Sequence, residues 1–113
     1  MIDSSEFGFI VVDRKKYNHD VIVTYKGKVK RCELEKRHLF SEKEFLMLLN
    51  ENPEVIVIGT GQYGECKVSE KILKMVEERG IKIIIKETKE AIIEFNELME
   101  AGKKPVAYIH VTC

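Results

Sequence analysis

The segment Val55-Ile56-Val57-Ile58-Gly59-Thr60-Gly61-Gln62-Tyr63-Gly64 runs four β-branched residues straight into a glycine-rich stretch. An unbroken apolar run of this length reads as a strand covered on both faces, as inside a parallel or mixed sheet. The glycines end it in a loop. Beyond that loop, helix and strand alternate. Ser69 is placed to cap a helix carrying Ile72, Leu73 and Val76 on one face, and Gly80 stops it. Ile81–Ile85 is a second buried strand. Thr88 is expected to cap a further helix, with Ala91, Ile92, Phe95, Leu98 and Met99 at helical spacing and Gly102 as its stop. Pro105–Val111 is the last strand, its direction left open by the pattern. A right-handed strand–helix–strand crossover makes Val55–Ile58 and Ile81–Ile85 parallel.

Upstream, the residues read mostly as strands. Phe7–Val12 is a short apolar run that ends at Asp13-Arg14-Lys15-Lys16. Asp20–Tyr25 and Val29–Leu34 flank the turn Lys26-Gly27-Lys28 and predict a hairpin. Ser41-Glu42-Lys43-Glu44 has the form of a capping box, and the helix it opens carries Phe45, Leu46, Leu48 and Leu49 before Pro53. The expected fold is a three-layer α/β domain with a central mixed sheet, helices on both faces and an extra β-hairpin layer. At 113 residues the chain is one globular domain, 1–113.

The charge balance narrows the partners. Nineteen basic and nineteen acidic side chains leave no net field to hold nucleic acid or an anionic membrane. The basic excess in residues 1–40, nine against six, is better read as Lys protection of exposed strands, because no aromatic platform is interleaved with it. No apolar run approaches a membrane span and no signal segment opens the chain, so a cytoplasmic location is expected. Abundant Lys and Glu fit the ion-pair-rich surface of a heat-adapted protein. The three cysteines, Cys32, Cys66 and Cys113, form no Cys-x-x-Cys pair, so neither a disulfide framework nor a structural metal is implied. No cofactor is implied either.

Two parallel strands share one C-terminal edge, and the helices after them start there. Helix N-termini offer free N–H groups and partial positive charge, so this edge suits an anion or a carbonyl oxygen. Gly59, Gly61 and Gly64 would let the backbone approach a ligand closely, with Thr60, Gln62 and Thr88 supplying hydrogen bonds. The loop lacks the Gly-Lys-Ser/Thr ending of a phosphate loop. Its match to a dinucleotide fingerprint fails because the next helix begins only near Ser69. Lys67 and the nearby helix start would lower the thiol pKa of Cys66 while Glu65 opposes them, and no base lies close in sequence. Cys66 and His110 are therefore read as structural. Glu94, Glu97 and Glu100 fall on a solvated helix face. No catalytic residue is assigned.

Val55–Gln62, Gly80-Ile81, Thr88 with Glu90-Ala91, Phe95-Asn96 with Leu98, Gly102 and the run His110-Val111-Thr112-Cys113 together resemble a family of small domains. That family contains the animal adipogenesis-associated domain protein and the mitochondrial respiratory complex I assembly factor, with many uncharacterised prokaryotic members. The resemblance covers residues 20–113. It implies a three-layer fold with one antiparallel strand in a mixed sheet, and no established catalytic activity. It also adds His38, which precedes Ser41-Glu42-Lys43-Glu44 as a His often does in the family. Phe95 and Cys32 depart from the Tyr and Trp common at those places. The expected function is a non-enzymatic binding or assembly domain, its partner a protein or a second copy. The alternative is a small-ligand binder or enzyme working at the glycine loop.

Overall fold

The computed structural model describes residues 1–113. In chain order the strands β1 (Ile2–Glu6), β2 (Phe9–Val12), β3 (Lys15–Tyr17), β4 (Val21–Thr24), β5 (Val29–Arg31) and β6 (Leu39–Phe40) precede helix α1 (Glu42–Leu49). Then come β7 (Val55–Gly59), β8 (Lys67–Val68), α2 (Glu70–Glu78), β9 (Lys82–Lys86), α3 (Thr88–Glu100) and β10 (Pro105–Ile109). The central sheet has the order β5-β4-β10-β7-β9. β7 runs parallel to β9, with Ile56 beside Ile83, as the crossover rule requires. β10 enters between β7 and β4, parallel to the first and antiparallel to the second. All five of its residues are buried, so an interior position is the one that covers both its faces.

Side chains alternate across this sheet and build two cores. On one face Val21, Val23, Val55, Val57, Ala107 and Ile109 pack against Ala91, Ile92 and Phe95 of α3 and against Ile2, Ile10 and Val12. On the other, Ile22, Ile56, Ile58, Val106 and Tyr108 meet Phe45 and Leu48 of α1 and Ile72 and Val76 of α2. This is why the strands carry no polar alternation: each successive residue enters one core or the other.

The expected hairpin forms, with Val21 opposite Arg31, but it extends the central sheet as its edge instead of making a layer of its own. The separate layer is the antiparallel meander β1-β2-β3. Strands β1 and β3 give little local signal. β1 buries only Ile2 and Ser5 and is interrupted by an irregular register between Ile2 and Ser4, and β3 is Lys15-Lys16-Tyr17. The meander is tied down tertiarily. Asn96 of α3 accepts from the Ile2 N–H at 3.0 Å and donates to the Ile2 carbonyl at 2.8 Å, as a neighbouring strand would.

The helix ends obey local chemistry more closely. The Glu44 carboxylate is wholly buried and accepts from the Ser41 N–H at 2.9 Å, the Ser41 hydroxyl at 3.1 Å and the Glu35 N–H at 3.1 Å. Past α2 and α3, Gly80 donates to Glu77 and Ile81 to Val76, and Gly102 donates to Met99 and Lys103 to Leu98. These are paired Schellman closures at the two predicted stops. Ser69 holds the N-cap position of α2, but its side chain makes no capping bond.

Candidate functional site

The parallel strands β7, β9 and β10 end at one edge of the sheet. Because β4 is antiparallel to β10, with Val21 opposite Ile109, the residue before β4 reaches the same edge. The fold therefore gathers Gly59–Gln62, Thr88, Asp20 and His110–Cys113 in one place.

The glycine loop is occupied by the chain itself. Every N–H from Thr60 to Cys66 is bonded internally. Gln62 donates to the Thr112 carbonyl at 2.7 Å, and Tyr63 and Glu65 both donate to the Cys113 oxygen at 3.0 Å. The Gln62 side chain donates to the Ser5 hydroxyl at 3.3 Å, and the Thr60 hydroxyl donates to the Lys86 carbonyl at 3.0 Å. The Gly59 carbonyl accepts from the His110 N–H at 2.9 Å. Thr88 is not the cap of α3. That position belongs to Glu87, and Thr88 is the first helical residue. Its buried hydroxyl accepts from the Gly61 N–H at 2.9 Å and donates to the His110 carbonyl at 2.7 Å. Two buried main-chain groups needed partners, and that demand outweighed capping. Gly59, Thr60, Gly61, Gln62 and Thr88 thus stand together behind the segment 110–113 and position it.

His38 lies on the other side of that segment. Its ring is perpendicular to that of His110, the centroids 5.6 Å apart. The two side chains border an open cleft of about 610 Å³ that Asp20, Arg37, Thr112 and Cys113 also line. The chain leaves β10 after Ile109, so His110 and Cys113 share this cleft instead of facing opposite ways as a continued strand would place them. Asp20 organises the floor. Its Oδ1 accepts from the Val111 N–H at 2.9 Å, and its Oδ2 accepts from His110 Nδ1 at 2.7 Å and from the Tyr108 hydroxyl. Burial, reinforced by the Asp20 charge, pushes the Tyr108 hydroxyl far above the ordinary tyrosine range, so it remains a donor. The carboxylate can only accept, which fixes the proton of His110 on Nδ1 and turns the Nε2 lone pair toward the Thr112 hydroxyl, 3.3 Å away.

His38 carries two local costs. Its backbone is left-handed, with φ at 55°, and its buried Nδ1 has no hydrogen-bond partner. Its Nε2 accepts from Arg37 Nε at 3.3 Å, which leaves the proton on the unpartnered Nδ1. His38 is held there by β6, whose pairing with β8 begins at the bond from the Lys67 N–H to the His38 carbonyl. Charge at the cleft is unevenly spent. Asp20 is engaged by three hydrogen bonds and Glu33 pairs with Arg31 at 2.7 Å, whereas Arg37 makes no ion pair.

Of the site residues expected from sequence, only His38 lines this cleft. Asp20, Arg37, Tyr108, His110 and Thr112 lie outside that expectation. Tyr108 and His110, two apart at the end of β10, carried a weak signal, since that spacing puts side chains on one face, whereas Thr112 lies past the strand. Asp20 lies 90 residues from His110, and its partnership needs the sheet order. No group of three or more His, Cys, Asp or Glu side chains is placed to hold a metal ion.

The thiols correct one expectation. Burial, aided by the charges of Asp20 and Glu44, raises Cys66 from 9.0 to about 12, and the opposing pull of Lys67 is smaller. Cys32 rises to about 12 for the same main reason, with Glu44 and Asp20 adding to it. An acid raised on folding stabilises the native state fully below its unfolded pKa and loses that contribution as pH climbs to the folded value. Stability should therefore fall between pH 9 and about 12. Cys66→Ala should flatten that slope by about one proton, read by urea unfolding across the window.

Comparison with known proteins places the fold. A conserved hypothetical protein from Pyrococcus horikoshii has a crystal structure that superposes with a TM-score of 0.89 at 33% identity, covering 100% of this chain and 99% of that one. The structure of MT938 gives 0.84 at 29% identity, over 100% and 98%. A Mth938-like domain from Bordetella pertussis gives 0.67 at 15%, over 98% and 85%, which speaks for the fold alone. No match is found among curated proteins. No helix is long and apolar enough to cross a membrane. The matched family profile spans residues 2–110, and the chain belongs to that family, described as protein of unknown function (DUF498/DUF598).

Proposed function

We propose that the domain binds a small anionic molecule, a carboxylate or phosphate ester, in the cleft between His38 and His110. One observation carries this reading. Arg37 is a cation without an ion pair at a cleft where Glu33 is taken by Arg31 and the Asp20 carboxylate is already engaged by three hydrogen bonds. His38 beside it adds a polar ring to the same wall. Gly59, Thr60, Gly61, Gln62 and Thr88 serve this site by fixing the wall 110–113. A cytoplasmic location suits three unpaired cysteines.

The test is an isotope-labelled titration with phosphate, succinate and a mononucleotide, read by amide shifts. Shifts should cluster on residues 37–38 and 110–113, and Arg37→Gln should weaken binding about tenfold or more. Shifts confined to residues 59–66 would return the site to the glycine loop, and shifts on residues 26–31 would move it to the hairpin.

A second reading, an assembly domain, has its own observation. Phe7 and Tyr63 are 55% and 74% exposed, and their rings pair at 6.2 Å. Exposed aromatic residues are enriched at docking faces. The resemblance to the adipogenesis-associated protein and the complex I assembly factor supports this reading, with a protein partner or a second copy on that face. Loss of co-purifying protein, or of self-association, in the pair Phe7→Ser, Tyr63→Ser would support it.

A further inference from the structure

We propose that the cleft carries an acyl-transfer activity on small carboxylic esters, with Thr112 as nucleophile, His110 as base and Asp20 as the carboxylate that orients it. The inference goes beyond ligand binding and does not need the Arg37 contact, because a neutral ester makes no demand on a cation.

The roles rest on three groups in line. Asp20 Oδ2 lies 2.7 Å from His110 Nδ1, and His110 Nε2 lies 3.3 Å from Thr112 Oγ1. This is the order carboxylate, imidazole, hydroxyl that activates a serine or threonine. The outer distance is long for a resting hydrogen bond, as such relays often are before substrate compresses them. The base is rigidly held. Asp20 is fixed by the Val111 N–H and the Tyr108 hydroxyl, and the His110 main chain is bonded at both ends, its N–H to Gly59 and its carbonyl to Thr88. Thr112 is only partly buried and borders the open cleft, so an ester can reach its oxygen. The N–H groups of Thr112 and Cys113 are taken up by no main-chain carbonyl. The N–H of the residue after a nucleophile is a recurrent donor to the oxyanion.

The chemistry closes with water as the one co-reactant. Thr112 Oγ1 attacks the ester carbonyl carbon while its proton passes to His110 Nε2. The tetrahedral oxyanion collapses, the bond to the alcohol oxygen breaks, and His110 returns the proton to the leaving alcohol. Water then attacks the acyl-threonine and gives its proton to His110. The Thr112–acyl bond breaks, the acid leaves, and Thr112 regains its proton.

The full chain is incubated with p-nitrophenyl acetate. Release of p-nitrophenol is monitored, and the peptide containing residues 105–113 is analysed by mass spectrometry. One acetyl group should appear on Thr112 in the wild type, and it should persist in Cys113→Ser and Thr112→Ser. Thr112→Ala should abolish it and slow release by roughly 10²–10⁴-fold, the range expected for loss of such a positioned pair. Partly exposed Thr112 tolerates this change without unfolding, which amide spectra will show. Acetyl on Cys113 or on lysines only, or an unchanged rate in Thr112→Ala, overturns the proposal. The wild-type succinate titration separates the two readings: no amide shifts on residues 37–38 with Thr112 still acetylated would fail the anion reading alone, and shifts there with no acetyl on Thr112 would fail this proposal alone.

Discussion

Gly61→Ala is expected to lower the stability of the domain by about 3 kcal/mol or more, and the cause is the chain's own main chain. Gly61 sits at φ 107°, a conformation that costs an L-residue about 1–2 kcal/mol. A Cβ there would run into the main-chain carbonyl of Cys113 and touch the His110 ring at 3.0 Å. Neither is the yielding end of a flexible side chain, so the segment 110–113 must move. Moving it breaks the bonds that Gln62, Tyr63 and Glu65 make to Thr112 and Cys113, each worth about 1 kcal/mol. Gly8→Ala provides the contrast. Gly8 is also left-handed, at φ 94°, but nothing lies within 4 Å of an added Cβ, so only the conformational cost of about 1–2 kcal/mol remains. Urea unfolding of both variants should separate them, with the larger loss at Gly61 and similar m-values. Equal losses would mean that the strap 110–113 is not held as described.

The same strap explains why the sequence pointed to this edge of the sheet without showing what fills its glycine loop. Val55–Ile58 and Ile81–Ile85 disclosed two buried parallel strands because their apolar runs are local and unbroken, and a topological rule then supplied the shared edge. The glycines of the loop suggested close approach to a ligand; at Gly61 a close approach does occur, but a sequence does not say whose atoms approach. Here it is Thr112 and Cys113, brought back by β10. Thr88 looked like a cap because Thr before an amphipathic run usually is one. Its hydroxyl was drawn inward by Gly61 and His110, which are 27 and 22 residues distant. β1 and β3 stayed illegible because their order comes from α3 and from each other, not from their own composition. Asp20 was invisible for a related reason. A lone aspartate before a strand is an ordinary turn residue until the antiparallel placement of β4 puts it against His110.

Asp20→Ala should cost about 3 kcal/mol or more, because three donors lose their acceptor and each buried donor left unpaired costs about 1–3 kcal/mol. The carboxylate receives the Val111 N–H, the His110 Nδ1 proton and the Tyr108 hydroxyl, and each donor would lose its acceptor. Tyr108→Phe should cost less, about 1–3 kcal/mol, since Asp20 keeps two donors and the ring still packs against Phe40 at 5.2 Å. Asp20→Asn is the informative change. The amide keeps the volume and can still accept from Val111, but its NH₂ then meets two other donors. His110 can resolve the conflict by moving its proton from Nδ1 to Nε2, where Thr112 accepts it. The fold should then survive with a loss smaller than that of Asp20→Ala. The imidazole ¹⁵N shifts should show the exchanged tautomer, and acetylation of Thr112 should disappear because Nε2 no longer has a lone pair to offer. If Asp20→Asn keeps the original tautomer and still acylates, His110 is not oriented by Asp20, and the network is a fastening of β4 to β10 with no chemical role.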